Sequence, residues 1–133
     1  MSNLLKMTVP GRPEFIQVCK SAAIAAANLS KFDIDTVDEI GIAVFEACKS
    51  ITCHGHDCWC TSYEMNIEFL KDKFKITLVS GEHSIEKCGQ HICLDCPSEG
   101  DLGIAIIKSI MDQVEIEKEN DGTKKIIMVK NLC

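Results

Sequence analysis

The sequence predicts an α+β fold: a two-layer α/β sandwich in which about three helices cover one face of a mixed, mainly antiparallel sheet. Three observations predict it. Tyr63, Met65, Ile67 and Phe69, then Phe74, Ile76 and Leu78, alternate with polar residues on either side of a Lys71-Asp72 turn, the pattern of a hairpin with one buried face. Apolar residues recur at helical spacing in two stretches before that hairpin and one after it. Asn120-Asp121-Gly122, a strong turn signal, separates two further extended segments. The expected order is β-α-α-β-β-loop-α-β-β within one domain spanning 1–133.

Each element has its own local reason. Residues 6–10 read as a short strand that Pro10, Gly11 and Pro13 bring to an end. Pro13 suits a first helical turn, and a helix is expected to run to about Ser30 with Phe15, Val18/Cys19, Ala22, Ala26 and Leu29 on one stripe. Its alanines allow another backbone close. A second helix is expected from about Asp35, which can cap it, with Asp38 and Glu39 at the positive end of its dipole. Val37, Ile40, Val44, Cys48 and Ile51 form its apolar stripe, which stops near Cys53-His54-Gly55. Residues 81–100 show no period, and an aperiodic stretch that long in a small domain usually has a job. A helix carrying Leu102, Ile106, Ile110 and Met111 is expected next, then strands around Val114 and Ile116 and from Thr123 to Lys130.

Composition narrows the function. Apolar residues make up 46% of the chain and charged residues 26%, enough for a real core and unlike a disordered chain. A net charge of -6 repels phosphate backbones, so no direct contact with nucleic acid or an anionic membrane is expected. Apolar runs such as 102–107 are broken by charge within a few residues; neither a membrane span nor a signal peptide is expected, and the expected compartment is the cytoplasm. Nine cysteines, an odd number, argue against a disulfide framework in that setting. No P-loop, nucleophile elbow or dinucleotide fingerprint is present.

Taken in order, the strings Ile42-Ala43-Val44-Phe45-Glu46-Ala47-Cys48, Leu102-Gly103-Ile104, Ile107-Lys108-Ser109-Ile110-Met111-Asp112-Gln113-Val114 and Asp121-Gly122-Thr123 resemble the gyrase–histidine-kinase ATPase superfamily. Within it the likeness is to the anti-sigma factor/serine kinase group of bacterial sporulation and stress control, over roughly residues 9–130. Each string alone is weak; their order and spacing carry the resemblance. It implies a histidine-kinase-like ATPase fold, ATP and magnesium as cofactors, a homodimer, and a sigma factor and a small antagonist protein as partners.

The resemblance also implies roles for particular positions. Glu46 stands where the family orients or deprotonates the attacking hydroxyl. Ser50 replaces the family's magnesium-holding Asn, and serine offers a single, shorter oxygen ligand. Ser80 replaces the Asp that accepts the adenine amino group, with Glu82 and Ser84 where glycines are usual. Gly100-Asp101-Leu102-Gly103 stands at the turn that opens the helix under the triphosphate, where free N–H groups and the dipole hold anions. Asp101 there reads either as a helix N-cap or as a carboxylate that competes with the phosphate. Thr123 is retained. Three such replacements, each costing about 1–3 kcal/mol, would turn a micromolar nucleotide site into a millimolar one. The expectation is a chain that keeps the fold and partner surface while binding ATP weakly or not at all.

Ten of the 13 Cys and His residues lie from Cys53 to Cys96. Cys53, Cys58 and Cys60 follow the second helix; Cys88, His91, Cys93 and Cys96 lie in the aperiodic stretch with Cys-x2-His and Cys-x2-Cys spacings able to bite one metal ion. Zinc or an iron–sulfur cluster are the occupants such ligands suit, against the alternative that buried cysteines pack as small apolar residues, as Cys19 and Cys48 would. Three functions therefore stand side by side: an anti-sigma-type binding protein with weakened or lost kinase activity, an active ATP-dependent serine protein kinase, and a metal- or redox-responsive switch on the same fold.

Overall fold

The computed structural model describes residues 3–51, 62–80, 102–118 and 123–132. The chain runs β1 (Asn3–Pro10), a 3-10 turn (Pro13–Phe15), α1 (Ile16–Ala27), α2 (Ile34–Ser50), β2 (Ser62–Phe69), β3 (Lys73–Ser80), α3 (Leu102–Ile110), β4 (Gln113–Lys118) and β5 (Lys124–Asn131). The strands form one five-stranded sheet in the order β1-β2-β3-β5-β4. All four pairings are antiparallel. The expected α+β architecture is the observed one, and among the described residues every strand pairing is antiparallel.

Period-two patterning places the sheet's apolar side. Tyr63, Met65 and Ile67 of β2, Phe74, Ile76 and Leu78 of β3, and Ile126 and Met128 of β5 are all buried, in one cluster with the helices. Phe69 closes the hairpin opposite Phe74, and the Leu70 N–H donates to the Lys73 carbonyl across the turn. Phe74 meets Phe69 and Phe32 edge-on, at 5.6 and 5.8 Å between ring centroids, the orientation that brings a positive ring edge to a negative face. Phe32 lies just before α2, so this contact fixes where α2 starts over the sheet.

α2 buries the expected stripe of Val37, Ile40, Val44 and Cys48, continued by Ile51. Its cap is Asp33, not Asp35. Asp33 has the extended backbone of an N-cap and accepts from the Thr36 N–H at 2.8 Å, whereas Asp35 lies inside the first turn. Hydrogen bonds from Thr36 hold the Asp33 carboxyl below its ordinary value of 3.8. A depressed carboxyl contributes stability above that value and loses it as pH falls through the folded-state one. Asp33→Ala is therefore expected to lower the thermal midpoint at pH 7, and the gap from the parent chain narrows as the pH is taken below 3.8. Circular dichroism melts across that range check it; a gap that stays constant with pH would refute the assignment.

Two stripes are rotated from expectation. α1 begins at Ile16, after the 3-10 turn, and buries Ile16, Cys19, Ala23, Ala26 and Ala27, while Val18 is exposed and Leu29, beyond the helix end, is 81% exposed. α3 buries Ile104 and Ile107 with Met111 behind them, and Leu102 is 76% exposed. Both segments are apolar on several sides, so spacing alone did not select the phase. Gly41 lets α1 close on α2: a Cβ there would meet the Ile24 side chain at 2.7 Å. At its far end α3 is tied to β5. The Lys130 ammonium donates to the Ile110 carbonyl at 2.7 Å, the Asp112 N–H to the Val129 carbonyl at 2.8 Å, and the Asn131 N–H to the Asp112 carboxylate at 2.6 Å. A cation at the helix carboxyl end also answers its dipole. Among the described residues no helix is long and apolar enough to cross a membrane.

Candidate functional site

Phe32, just before α2, meets Phe74 at the start of β3. The carboxyl end of α3 is tied to the end of β5 that pairs with that start, and its Gly103 end lies against Glu46 and Ser50, so α2 and β3 run in the same sense. Seventeen helical residues and eight strand residues both span roughly 25 Å, so the end of α2 that bears Glu46 and Ser50 lies toward the Ser80 end of β3. The expected site residues Glu46, Ser50, Ser80 and Gly103 are thus gathered at one end of the sandwich.

The α2–α3 contact is tight there because position 103 has no side chain. A Cβ on Gly103 would stand 3.0 Å from the Glu46 carboxylate Oε2 and 3.2 Å from the Ser50 hydroxyl. Gly103 therefore seats α3 directly against both residues. Glu46 is half-hidden, its side chain 17% exposed, with one carboxylate oxygen 3.4 Å from the Lys49 ammonium. Lys49 also sits 5.2 Å from the centre of the Phe45 ring. The Ser50 hydroxyl donates back along its own helix to the Glu46 carbonyl at 2.9 Å. Such a bond is the usual resting place of a serine hydroxyl inside a helix.

At the end of the sheet, Ser80 is buried and its hydroxyl is committed to the neighbouring strand. It accepts from the Lys124 backbone N–H at 2.9 Å and donates toward the Lys124 carbonyl at 3.4 Å. Ser80 thus closes the β3–β5 ladder where the backbone pairing ends. Thr123 immediately precedes β5. Gly100 and Asp101 lie outside the described residues, as do all seven expected metal ligands: Cys53, Cys58, Cys60, Cys88, His91, Cys93 and Cys96. Among the described residues no group of three His, Cys, Asp or Glu side chains is placed to hold a metal ion.

Sequence reasoning missed two features. Lys124 points its side chain to the core face, 1% exposed, and its ammonium has no hydrogen-bond partner among the described residues. The signal was there to read, since Lys124 is in phase with Ile126 and Met128. The second feature is a thiol pair. Cys19 of α1 and Cys48 of α2 are both buried and reduced, and a hydrogen bond with Cys48 holds Cys19 below the ordinary thiol value against the burial that would raise it.

Comparison with known proteins bears on this geometry. Residues 9–130 match the family model described as the histidine kinase-like ATPase domain. A serine-protein kinase RsbW of Halalkalibacterium halodurans is 30% identical over 135 residues, covering 89% of this chain and 77% of its own length. The serine-protein kinase RsbW of Oceanobacillus iheyensis is 28% identical, covering 90% of this chain and 83% of its own. That of Bacillus subtilis strain 168 is 23% identical, covering 98% and 87%.

Proposed function

Because the chain belongs to the histidine kinase-like ATPase domain family, we propose that it is a regulatory binding protein of the anti-sigma type. In this reading it binds a sigma factor or an antagonist protein in the cytoplasm, works as a homodimer, and has weakened or lost ATP binding and serine kinase activity.

The observation that carries the reading is what the two serine hydroxyls are doing. An adenine amino group needs an acceptor, and a magnesium ion needs oxygens free to turn toward it. Ser80 spends its oxygen on the Lys124 N–H, in a rung that also holds a buried ammonium. That ammonium is a donor only, so an amino group placed there meets a donor instead of an acceptor. Ser50 directs its hydroxyl proton to the Glu46 carbonyl and offers one short-armed oxygen at most. Ser50 and Ser80, as they are bonded, do not fit an adenine nucleotide with its metal. Glu46 then serves as a half-buried carboxylate pinned beneath α3.

The alternative, an active serine protein kinase, draws its support from the names of the relatives and from the retained Glu46, Gly103 and Thr123. Calorimetric titration with ATP and magnesium separates the two. The expected result is no saturable binding at micromolar nucleotide, together with a stable complex with a sigma factor or antagonist protein from the same organism. Micromolar saturation with phosphate transfer to a serine of the antagonist would establish the kinase instead.

A further inference from the structure

A lysine side chain fully inside a protein core is expensive. Its ammonium loses its water, and nothing offsets that loss unless an anion or strong acceptor takes water's place. Lys124 is 1% exposed and its ammonium has no hydrogen-bond partner among the described residues. The side chain shares the core face with Ile126 and Met128, which offer it nothing polar. Its rung runs from Tyr63 through Ser80 to Lys118; Ser80 bonds the Lys124 backbone rather than the ammonium, and Lys118 brings a second cation, not an acceptor. Glu46, at the same end of the sandwich, directs one carboxylate oxygen to Lys49.

We infer that Lys124 is the anchor of a binding site for a small oxyanion, a phosphate or carboxylate group, at the β3–β5 end of the sandwich. The inference deepens the reading given above: the end of the fold that would offer an acceptor to a purine offers a cation instead. A buried ammonium binds an oxyanion through a charge-assisted hydrogen bond, which a low-dielectric surround strengthens. The cost of keeping the cation in the ligand-free protein is the usual one for a functional group that fold stability alone would replace with an apolar residue.

The test titrates the intact chain calorimetrically with inorganic pyrophosphate, citrate and adenosine, in the parent and in Lys124→Met and Lys124→Gln variants. Pyrophosphate or citrate is expected to bind saturably, the first marking a phosphate source and the second a carboxylate source, while adenosine does not. Each variant is expected to weaken the oxyanion by about tenfold or more, the loss of one hydrogen bond to a charged group. In the absence of ligand, Lys124→Met is expected to melt at or above the parent temperature, because a core thioether replaces an uncompensated charge. A lower melting temperature or an unfolded Lys124→Met would mean that the ammonium is paired within the chain, and would overturn the inference. So would oxyanion binding unchanged by either variant, or no oxyanion binding at all. Saturable adenosine binding would instead remove the proposed loss of nucleotide recognition, so the two readings fail separately.

Discussion

Phe74→Ala is expected to lower the free energy of unfolding by about 3–5 kcal/mol, the range for removing a fully buried aromatic ring. Phe74 is fully buried in the third strand and meets Phe69 and Phe32 edge-on. Removing it leaves a cavity and also cuts the contact that sets the start of α2 over the sheet. Small domains hold only about 5–15 kcal/mol in all, so this one change takes a large share. Urea denaturation followed by circular dichroism reads it as a fall in the midpoint at nearly constant slope. A loss below about 1 kcal/mol would show that the aromatic contact does not anchor the helix layer, since that is no more than the average point mutant loses.

Ser50→Asn together with Ser80→Asp is expected to raise affinity for ATP and magnesium sharply. Each restored contact is worth about 1–3 kcal/mol, or roughly five- to 150-fold, so the pair moves a millimolar site toward the micromolar range. The structure makes the second change tolerable. An Asp at position 80 has two oxygens: one can still accept from the Lys124 N–H, and the lone pairs of the other can accept from both the buried ammonium and an adenine amino group. The same pairing withdraws Lys124 from the oxyanion, so pyrophosphate affinity falls while ATP affinity rises. Calorimetry with both ligands on a variant shown to fold checks the opposed signs. No gain for ATP would mean that the two serines are not what weakens the nucleotide site.

Where side chains differ sharply in polarity, the fold was legible in the sequence. The β2–β3 hairpin and the α2 stripe are written in Phe, Ile, Val and Tyr set against charged neighbours, and both fold as read. α1 and α3 exist where expected, but their buried faces are turned. Ala22-Ala23, Ala25-Ala26-Ala27 and Ile104-Ala105-Ile106-Ile107 are apolar all round, and tertiary packing chose the face. The α2 cap went to Asp33 because the backbone is extended there, a property that the composition of a segment with two aspartates does not encode.

The candidate site was legible as positions and illegible as states. The strings around Glu46 and Gly103 mark positions that the fold brings together, but their contact is seen only in the structure. The commitment of Ser80 depends on a strand 44 residues away whose register only the folded sheet fixes. Lys124 was overlooked because a lysine at the head of a strand reads as a solvated charge. Extending the alternation back from Met128 and Ile126 by one step would have placed it inside.

One bond from β5 to Ile110, the last residue of α3, and two to Asp112 just beyond it clasp the carboxyl end of that helix. With its carboxyl end clasped, any displacement of α3 is expected to be a swing about that clasp, largest at Gly103, like a door on its hinge post. Nine residues at 1.5 Å each give a lever of roughly 13 Å. A rotation of a few degrees therefore lifts Gly103 off Glu46 and Ser50 while leaving the hinge end undisturbed, and whatever is wedged under the free end sets how far the door stands open.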